Sequence, residues 1–361
     1  MEHEGLSFPE ALKFLAKKYN IEIEETQQTA EQIQEKQVRD SLFILNQYAS
    51  EYYQKQLFES DRGRAIGLSY FKERGYREAT IKKFGLGYAP ATRDTFTQTA
   101  TAAQYNPEYL KALGLTSKRG FDFFRDRVMF TIHHLSGKVV ALAGRTLSTD
   151  KKVPKYINSP ESEIYNKRKV LYGLYQGKKA IRDQDECIMV EGYTDVITLH
   201  QGGVENVVAS SGTALTKDQI RLVKRYTPNI KIVYDGDAAG IKAALRGLDL
   251  VLEQDMNVKL VLLPDGEDPD SYLKKVGSEG FKTYMKEAAK DFIFFKVDLL
   301  LDEAGNDPIR KAQITKDIVQ SIAKIPDVMK RSLYLQQCSS MMGIDEGILI
   351  NEANKALRND M

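Results

Sequence analysis

Apolar positions change period several times along the chain, and each change predicts a different kind of element. Phe8 to Ala16 reads as a short helix with Ser7 as its cap and Pro9 in the first turn. A polar stretch from Glu22 to Thr29 follows, and the spacing of Ile33, Leu42, Leu45 and Tyr48 then predicts a long amphipathic helix from Gln28 to Phe58. Two shorter helices, Arg64 to Arg74 and Glu78 to Phe84, end at Gly75 and Gly85. After Arg127 the period shortens to a hairpin, Val128 to Ile132 and Val139 to Ala143 around Ser136-Gly137. From Cys187 to Leu273 four short apolar runs alternate with helix-length segments: Ile188 to Val190, Val207 to Ala209, Ile230 to Tyr234 and Lys259 to Leu263. This alternation predicts βαβ units and a parallel sheet. Beyond Leu273 the pattern predicts helices only, punctuated by Asp307-Pro308, Ile325-Pro326 and Gly343 with Asp345, and read as a small bundle whose core includes Leu335, Met341 and Met342.

The chain is therefore expected to be α/β, in four parts. Residues 1–60 form an N-terminal helical segment and linker, 61–183 a mixed α/β subdomain, 184–285 a parallel-sheet domain and 286–361 a helical bundle. At 361 residues, with 42% hydrophobic and 28% charged positions, nothing suggests disorder. No apolar run is long enough to span a bilayer and Met1 to Gly5 lacks the features of a signal peptide, which predicts a cytoplasmic protein with no membrane partner. Cys187 and Cys338 lie in apolar patterns and read as buried core thiols. Without a C-x-x-C pair, the two cysteines and four histidines give no zinc spacing, and His133 and His134 read as structural or exposed.

The net charge of +2 hides a separation. Residues 111–182 hold 16 lysines and arginines against 5 acidic residues, so the remainder of the chain is acidic. A basic surface attracts nucleic-acid phosphates, while acidic clusters collect divalent cations.

The acidic residues have a pattern of their own. In three of the four βα repeats carboxylates follow directly after the apolar run, giving Glu191 and Asp195, Asp235 and Asp237, and Asp268 and Asp270. The carboxyl ends of parallel strands share one edge, so these six should converge there. Such a cluster repels itself unless cations occupy it, and hard oxygen donors in this number suit Mg²⁺ or Mn²⁺, in two or more ions.

The motifs Glu191-Gly192-Tyr193-x-Asp195-Val196, Tyr234-Asp235-Gly236-Asp237-x-Ala239-Gly240 and Leu263 to Asp270 resemble the Toprim signature in the form found in bacterial DNA primase of the DnaG type. Upstream, Phe124 to Phe130, Ala143-Gly144-Arg145, Pro154 to Pro160 and Tyr165-Asn166-Lys167 through Leu171-Tyr172-Gly173 are similar to further primase motifs. The resemblance runs from about Arg74 to Leu273.

It implies templated synthesis of RNA primers, with a 3′-hydroxyl attacking the α-phosphorus of a nucleoside triphosphate. Catalysis is then expected from Glu191, Asp195, Asp235 and Asp237, and metal binding from Glu191, Asp235, Asp237, Asp268 and Asp270. Glu191 is open to either ligation or general-base chemistry. The resemblance further implies nucleotide contacts from Lys155, Asn158 and Lys167. Arg74, Arg125, Arg127 and Arg145 are expected on the single-stranded DNA template, and Phe124 and Tyr156 are candidate stacking faces. Relatives of this kind carry a zinc-binding module and a region that contacts the replicative helicase, and both are expected to lie outside this chain.

Other classes share parts of this pattern. A Toprim nuclease or topoisomerase subunit has the carboxylates, but a topoisomerase needs a tyrosine nucleophile in a further domain and neither accounts for the Lys155 to Gly173 motifs. A primase–helicase fusion would need a G-x-x-x-x-G-K-[ST] loop, which the sequence lacks. A non-catalytic scaffold that docks nucleic acid is the alternative without chemistry.

Overall fold

The computed structural model describes residues 8–19, 21, 29–212, 214–235, 248–305 and 307–359. Contacts divide the chain into two compact units, Met1–Gln176 and Gly177–Met361.

The first unit begins with α1 (Phe8–Tyr19) and α2 (Ala30–Glu59). Thr29 caps α2 in a reciprocal box, its hydroxyl accepting from the Gln32 N–H at 3.2 Å and its own N–H donating to the Gln32 side chain at 3.1 Å. A π-helical stretch, Gly63–Leu68, runs into α3 (Ser69–Glu73), followed by α4 (Glu78–Lys83), strand β1 (Gly87–Ala89), α5 (Thr95–Ala102) and α6 (Pro107–Ala112). The predicted hairpin is β2 (Arg127–His133) and β3 (Val139–Thr146), and β4 (Tyr156–Asn158) completes an antiparallel sheet in the order β1-β2-β3-β4. A 3₁₀ turn at Lys167–Lys169 precedes α7 (Leu174–Gln184), and the division between the units falls within that helix.

The helix assigned by sequence to a separate N-terminal segment is part of this unit's core. Leu42, Leu45, Ala49 and Tyr53 of α2 are buried with Phe96, Leu110, Phe124 and Leu142 in one cluster. Two polar ties fix the helix to the sheet: Asn46 Nδ2 donates to the Val140 carbonyl at 2.8 Å, and the Ser50 and Thr131 hydroxyls are 2.8 Å apart. Asp122, 5% exposed, accepts from the Phe96 and Thr97 N–H groups at 2.9 and 2.8 Å and so caps α5 from a distant loop. His133 stacks on Tyr175 with ring centroids 5.5 Å apart, and burial pushes its imidazole down to about 4, a structural role.

In the second unit β5 (Cys187–Val190), β6 (Val207–Ala209), β7 (Asn229–Tyr234) and β8 (Asn257–Leu262) are the four predicted strands. They pair in parallel in the order β6-β5-β7-β8. Among the described residues the intervening helices are α8 (Tyr193–Gln201), α9 (Lys217–Lys224) and α10 (Asp249–Glu253). After β8 come α11 (Pro269–Glu287), β9 (Lys290–Asp291), α12 (Phe292–Ala304), α13 (Pro308–Ala323), α14 (Val328–Met342) and α15 (Glu346–Asn359).

Strand β9 corrects the expectation of helices alone beyond Leu273. It adds to β8 in antiparallel fashion, with Lys259 opposite Asp291 and Leu260 opposite Lys290. Two polar residues carry no readable period, which is why the pattern did not reveal it. Helix α11 is also not continuous. Gly277 sits at φ 73° and ψ 174°, a conformation that breaks a helix and favours glycine, and the two halves fold so that the Tyr272 and Tyr284 rings lie 4.9 Å apart. In the terminal helices Leu335, Cys338 and Leu349 are buried as a bundle core, whereas Met341 is 37% exposed. No described helix is long and apolar enough to cross a membrane.

Candidate active site

The parallel register places the ends of β5, β7 and β8, at Val190, Tyr234 and Leu262, along one edge of the sheet. Every predicted carboxylate within the described residues sits on the connection that leaves this edge. Glu191 follows β5 directly and is exposed. Asp195 is the third residue of α8, where its Oδ2 accepts the Gly192 N–H at 3.0 Å and completes the helix start. Asp235 follows β7 and is half-buried. Asp268 caps α11, with Oδ1 accepting the Ser271 N–H at 2.7 Å. Asp270 in the next turn pairs with Lys274 at 2.9 Å and accepts from the Thr198 hydroxyl of α8. Asp237 lies outside the described residues.

The charges feel one another. Burial, then the negative charge of Asp268, with Asp235 and Asp270 adding to it, pushes the Asp195 carboxyl up to about 7. The Gly192 N–H opposes that rise. Burial and the nearby Glu191 carboxylate likewise push the Tyr234 phenol up to about 12, so Glu191 belongs to the same edge. Among the described residues, no three carboxylate, imidazole or thiolate groups are drawn close enough to hold a metal ion as they stand. The donor chemistry nevertheless fits a hard divalent cation: the groups are all carboxylate oxygens, and their mutual repulsion is what added positive charge relieves.

The basic residues belong to the first unit, and the structure sorts them. Arg145 lies over two aromatic rings, with its guanidinium carbon 5.2 Å from the Tyr70 centroid and 5.7 Å from that of Tyr156, and it donates to the Tyr70 hydroxyl. Arg74, just past α3, takes a similar position 5.3 Å from the Tyr70 centroid. Arginine and tyrosine thus alternate in the order Arg74, Tyr70, Arg145, Tyr156. Tyr70, Arg145 and Lys155 line one groove of about 780 Å³. Asn158 ends β4 opposite Ala143. Lys167 opens the 3₁₀ turn; its backbone N–H donates to Glu161 at 2.9 Å and the residue is half-buried. Arg125 is exposed beside Asp126, whose φ is 50°.

Arg127 is different from the other three template candidates. It is 7% exposed and its Nη1 donates to the carbonyl oxygens of Pro154 at 3.0 Å and Gly144 at 3.4 Å. The guanidinium holds the segment before β4 against β3 instead of facing solvent, a use that sequence spacing could not distinguish from phosphate binding. Phe124, 1% exposed, is core and not a stacking face. The residue that sequence reading missed is Tyr70, and the Tyr70-Phe71 pair four residues before Arg74-Gly75 was its available signal.

Three family models match the chain in order. "DNA primase catalytic core, N-terminal domain" covers residues 52–178, "Toprim-like" covers 188–273, and "DnaB-helicase binding domain of primase" covers 295–347. A DNA primase of Halalkalibacterium halodurans is 34% identical over 98% of this chain and 59% of its own length, and one of Clostridium acetobutylicum is 36% identical over 96% and 57%. The chain thus spans somewhat over half the length of these curated relatives. Among solved structures, a DNA primase domain from Pseudomonas aeruginosa is 35% identical with a TM-score of 0.79, covering 87% of this chain and 99% of that one. A DnaG primase catalytic domain bound to ssDNA is 33% identical with the same TM-score, covering 86% and 99%. The match over 295–347 corrects the expectation that the helicase-contacting region lies outside the chain, since most of α12 and all of α13 and α14, read from sequence as a plain bundle, fall within a model of that name. Bundle helices carry no chemical motif by which sequence reading could have told the two apart.

Proposed function

From the chain's membership in the DnaG-type family of bacterial DNA primases, we propose that it is the catalytic core that copies single-stranded DNA into short RNA primers from nucleoside triphosphates. The observation that carries this reading is the convergence of Asp195, Asp235, Asp268 and Asp270, with Glu191 beside them, on one sheet edge. When bound there, Mg²⁺ or Mn²⁺ would neutralise the triphosphate and favour ionisation of the attacking 3′-hydroxyl. Asp235, Asp268 and Asp270 are the proposed holders, together with Glu191 and Asp237. Asp195, tied to Gly192, sets the charge balance of the edge, and Thr198 and Lys274 orient Asp270.

On the first unit the alternating Arg74, Tyr70, Arg145 and Tyr156 suit a single strand, whose phosphates meet guanidinium groups and whose bases stack on aromatic faces without sequence reading. Arg125 extends that charge, and Lys155, Asn158 and Lys167 are assigned to the incoming nucleotide. Arg127 is left out of the template set because it is 7% exposed and its Nη1 is committed to backbone carbonyls. Residues 295–347 are assigned to the replicative helicase, and a zinc-binding module is a further expected partner.

Extension of a primer annealed to a DNA oligonucleotide tests the proposal. Incorporation of ribonucleotides that needs a divalent cation and is lost in Asp235→Asn is the expected result. A chain that binds single-stranded DNA yet incorporates nothing, with Mg²⁺ or with Mn²⁺, would leave only the docking-scaffold reading.

A further inference from the structure

Asp270 meets a different partner with each of its two oxygens. Oδ1 accepts from the hydroxyl of Thr198, a residue of α8 that is 5% exposed, and Oδ2 accepts from the Lys274 ammonium at 2.9 Å. The Thr198 side is closed by packing. On the other side the Lys274 side chain is 44% exposed, against 13% for that of Asp270, so the open face of this carboxylate is the one the ammonium covers.

Lys274 follows Asp270 by four residues on α11, the spacing and order in which a carboxylate and a lysine pair best on one helix. Such a pair is weak, because the lysine keeps much of its water. It opens to anything that binds the carboxylate more strongly.

The edge itself calls for such a competitor. Asp270 is one of the carboxylates whose charge pushes Asp195 up, and it is a proposed metal holder. A divalent cation at Oδ2 brings two charges where the ammonium brings one, and two cations at one oxygen repel, so the lysine leaves as the metal arrives. Its stem stays anchored one helical turn from Asp270, which keeps the ammonium at the edge. A nucleoside triphosphate held through that metal brings phosphates to the same place, and a lysine meets phosphate as a point charge.

The next residue supplies a contrast. Lys275 pairs with Glu267 at 2.6 Å, and Glu267 also accepts from the Ser271 hydroxyl at 2.6 Å. Lys275 carries the same charge on the same turn of α11, but the carboxylate it covers is outside the proposed metal set.

We propose that Lys274 is an exchangeable cation of the active site: it covers Asp270 while metal is absent, yields that oxygen to a divalent cation, and then pairs with the phosphates of a nucleoside triphosphate. The proposal rests on the reading of the edge as a metal site and adds a residue to it.

Titration calorimetry on the whole chain tests it, first with Mn²⁺ or Mg²⁺ alone and then with ATP in saturating Mg²⁺, comparing Lys274→Met, Lys274→Arg and Lys275→Met with the parent. Both lysines are on the surface, so these changes leave the core intact. Lys274→Met should bind metal about three- to fivefold more tightly, because an exposed ion pair no longer has to be opened. The same variant should bind ATP about tenfold more weakly, through the missing phosphate contact. A lysine that only props up the helix cannot shift the two affinities in opposite directions. Lys274→Arg should stay close to the parent in both titrations, and Lys275→Met should leave metal affinity unchanged. Metal affinity unchanged or weakened in Lys274→Met, equal tightening in Lys275→Met, or ATP affinity untouched in Lys274→Met would overturn the proposal. A parent that binds no divalent cation would instead overturn the metal reading of the edge, and this proposal with it.

Discussion

Asp195→Asn should make the protein more stable in the absence of metal, and increasingly so as pH rises. The carboxyl of Asp195 is pushed up to about 7 by burial and by Asp268, Asp235 and Asp270, whereas in an unfolded chain an aspartate titrates near 4. Between those values the native state keeps a proton that the unfolded state has released. Native stability from this group is therefore fully present below about pH 4 and is lost as pH rises through about 7. A shift of about three units at about 1.36 kcal/mol each sets a ceiling near 4 kcal/mol. Because Asp195 is partly solvent-accessible and titrates together with its neighbours, about 1–2 kcal/mol is the expected effect. Asparagine removes the charge and keeps an oxygen for the Gly192 N–H. For a unit of this size the gain corresponds to roughly 2–8 °C in Tm at pH 8, and to much less at pH 5. Thermal melts in EDTA at the two pH values measure it, and Mg²⁺ at pH 8 should shrink the difference by stabilising the parent. Equal gains at both pH values, or a variant less stable than the parent at pH 8, would refute the picture of a self-repelling edge.

Asp235→Asn should abolish primer extension by at least about a hundredfold while the metal-free Tm stays equal or rises, since one proposed ligand is neutralised and repulsion falls; extension assays beside melts check this. Arg145→Ala should flatten the log–log salt dependence of single-stranded DNA binding by up to about 0.7, whereas Arg127→Ala should leave the slope unchanged and lower stability by about 1–3 kcal/mol through the orphaned Pro154 and Gly144 carbonyls. Met329 and Leu333 are 71% and 61% exposed on α14, within the helicase-matched segment. Changing both to aspartate should weaken helicase binding about tenfold, read by fluorescence anisotropy, with primer extension unaffected. This chain alone should extend an annealed primer far better than it starts one, and adding a zinc module in trans should raise initiation more than extension. Comparing both rates on one template decides that point.

The parallel sheet could be read from the sequence because each strand carries a short run of buried apolar residues, and the carboxylates could be placed because a strand end is a fixed address. The same pattern said nothing of how far a side chain is buried. Arg125 and Arg127 are two residues apart in one motif, yet one is exposed and the other is committed to two carbonyl oxygens. Tyr70 was passed over because its place beside Arg74 and Arg145 exists only in the fold, and Arg145 is far away in sequence. Asp122 was unread for the same reason: it caps a helix that begins well upstream of it. Strand β9 and the break at Gly277 depend on backbone geometry, which hydrophobic period does not encode.

The pairing of β5 between β6 and β7 has a consequence in time. Parallel neighbours cannot be joined by a tight turn, so Glu191 and Asp235 leave the edge on separate crossovers, and Asp268 and Asp270 follow on the connection from β8 to its antiparallel neighbour β9. Glu191 leaves the ribosome well before Asp270, by roughly 4–16 s at ordinary elongation rates. During that interval the nascent sheet has its first carboxylates but lacks the helix start that completes the edge. On the proposed function, a growing chain is unable to act on nucleotides until the start of α11 has docked, and the order of synthesis itself keeps the half-made edge silent.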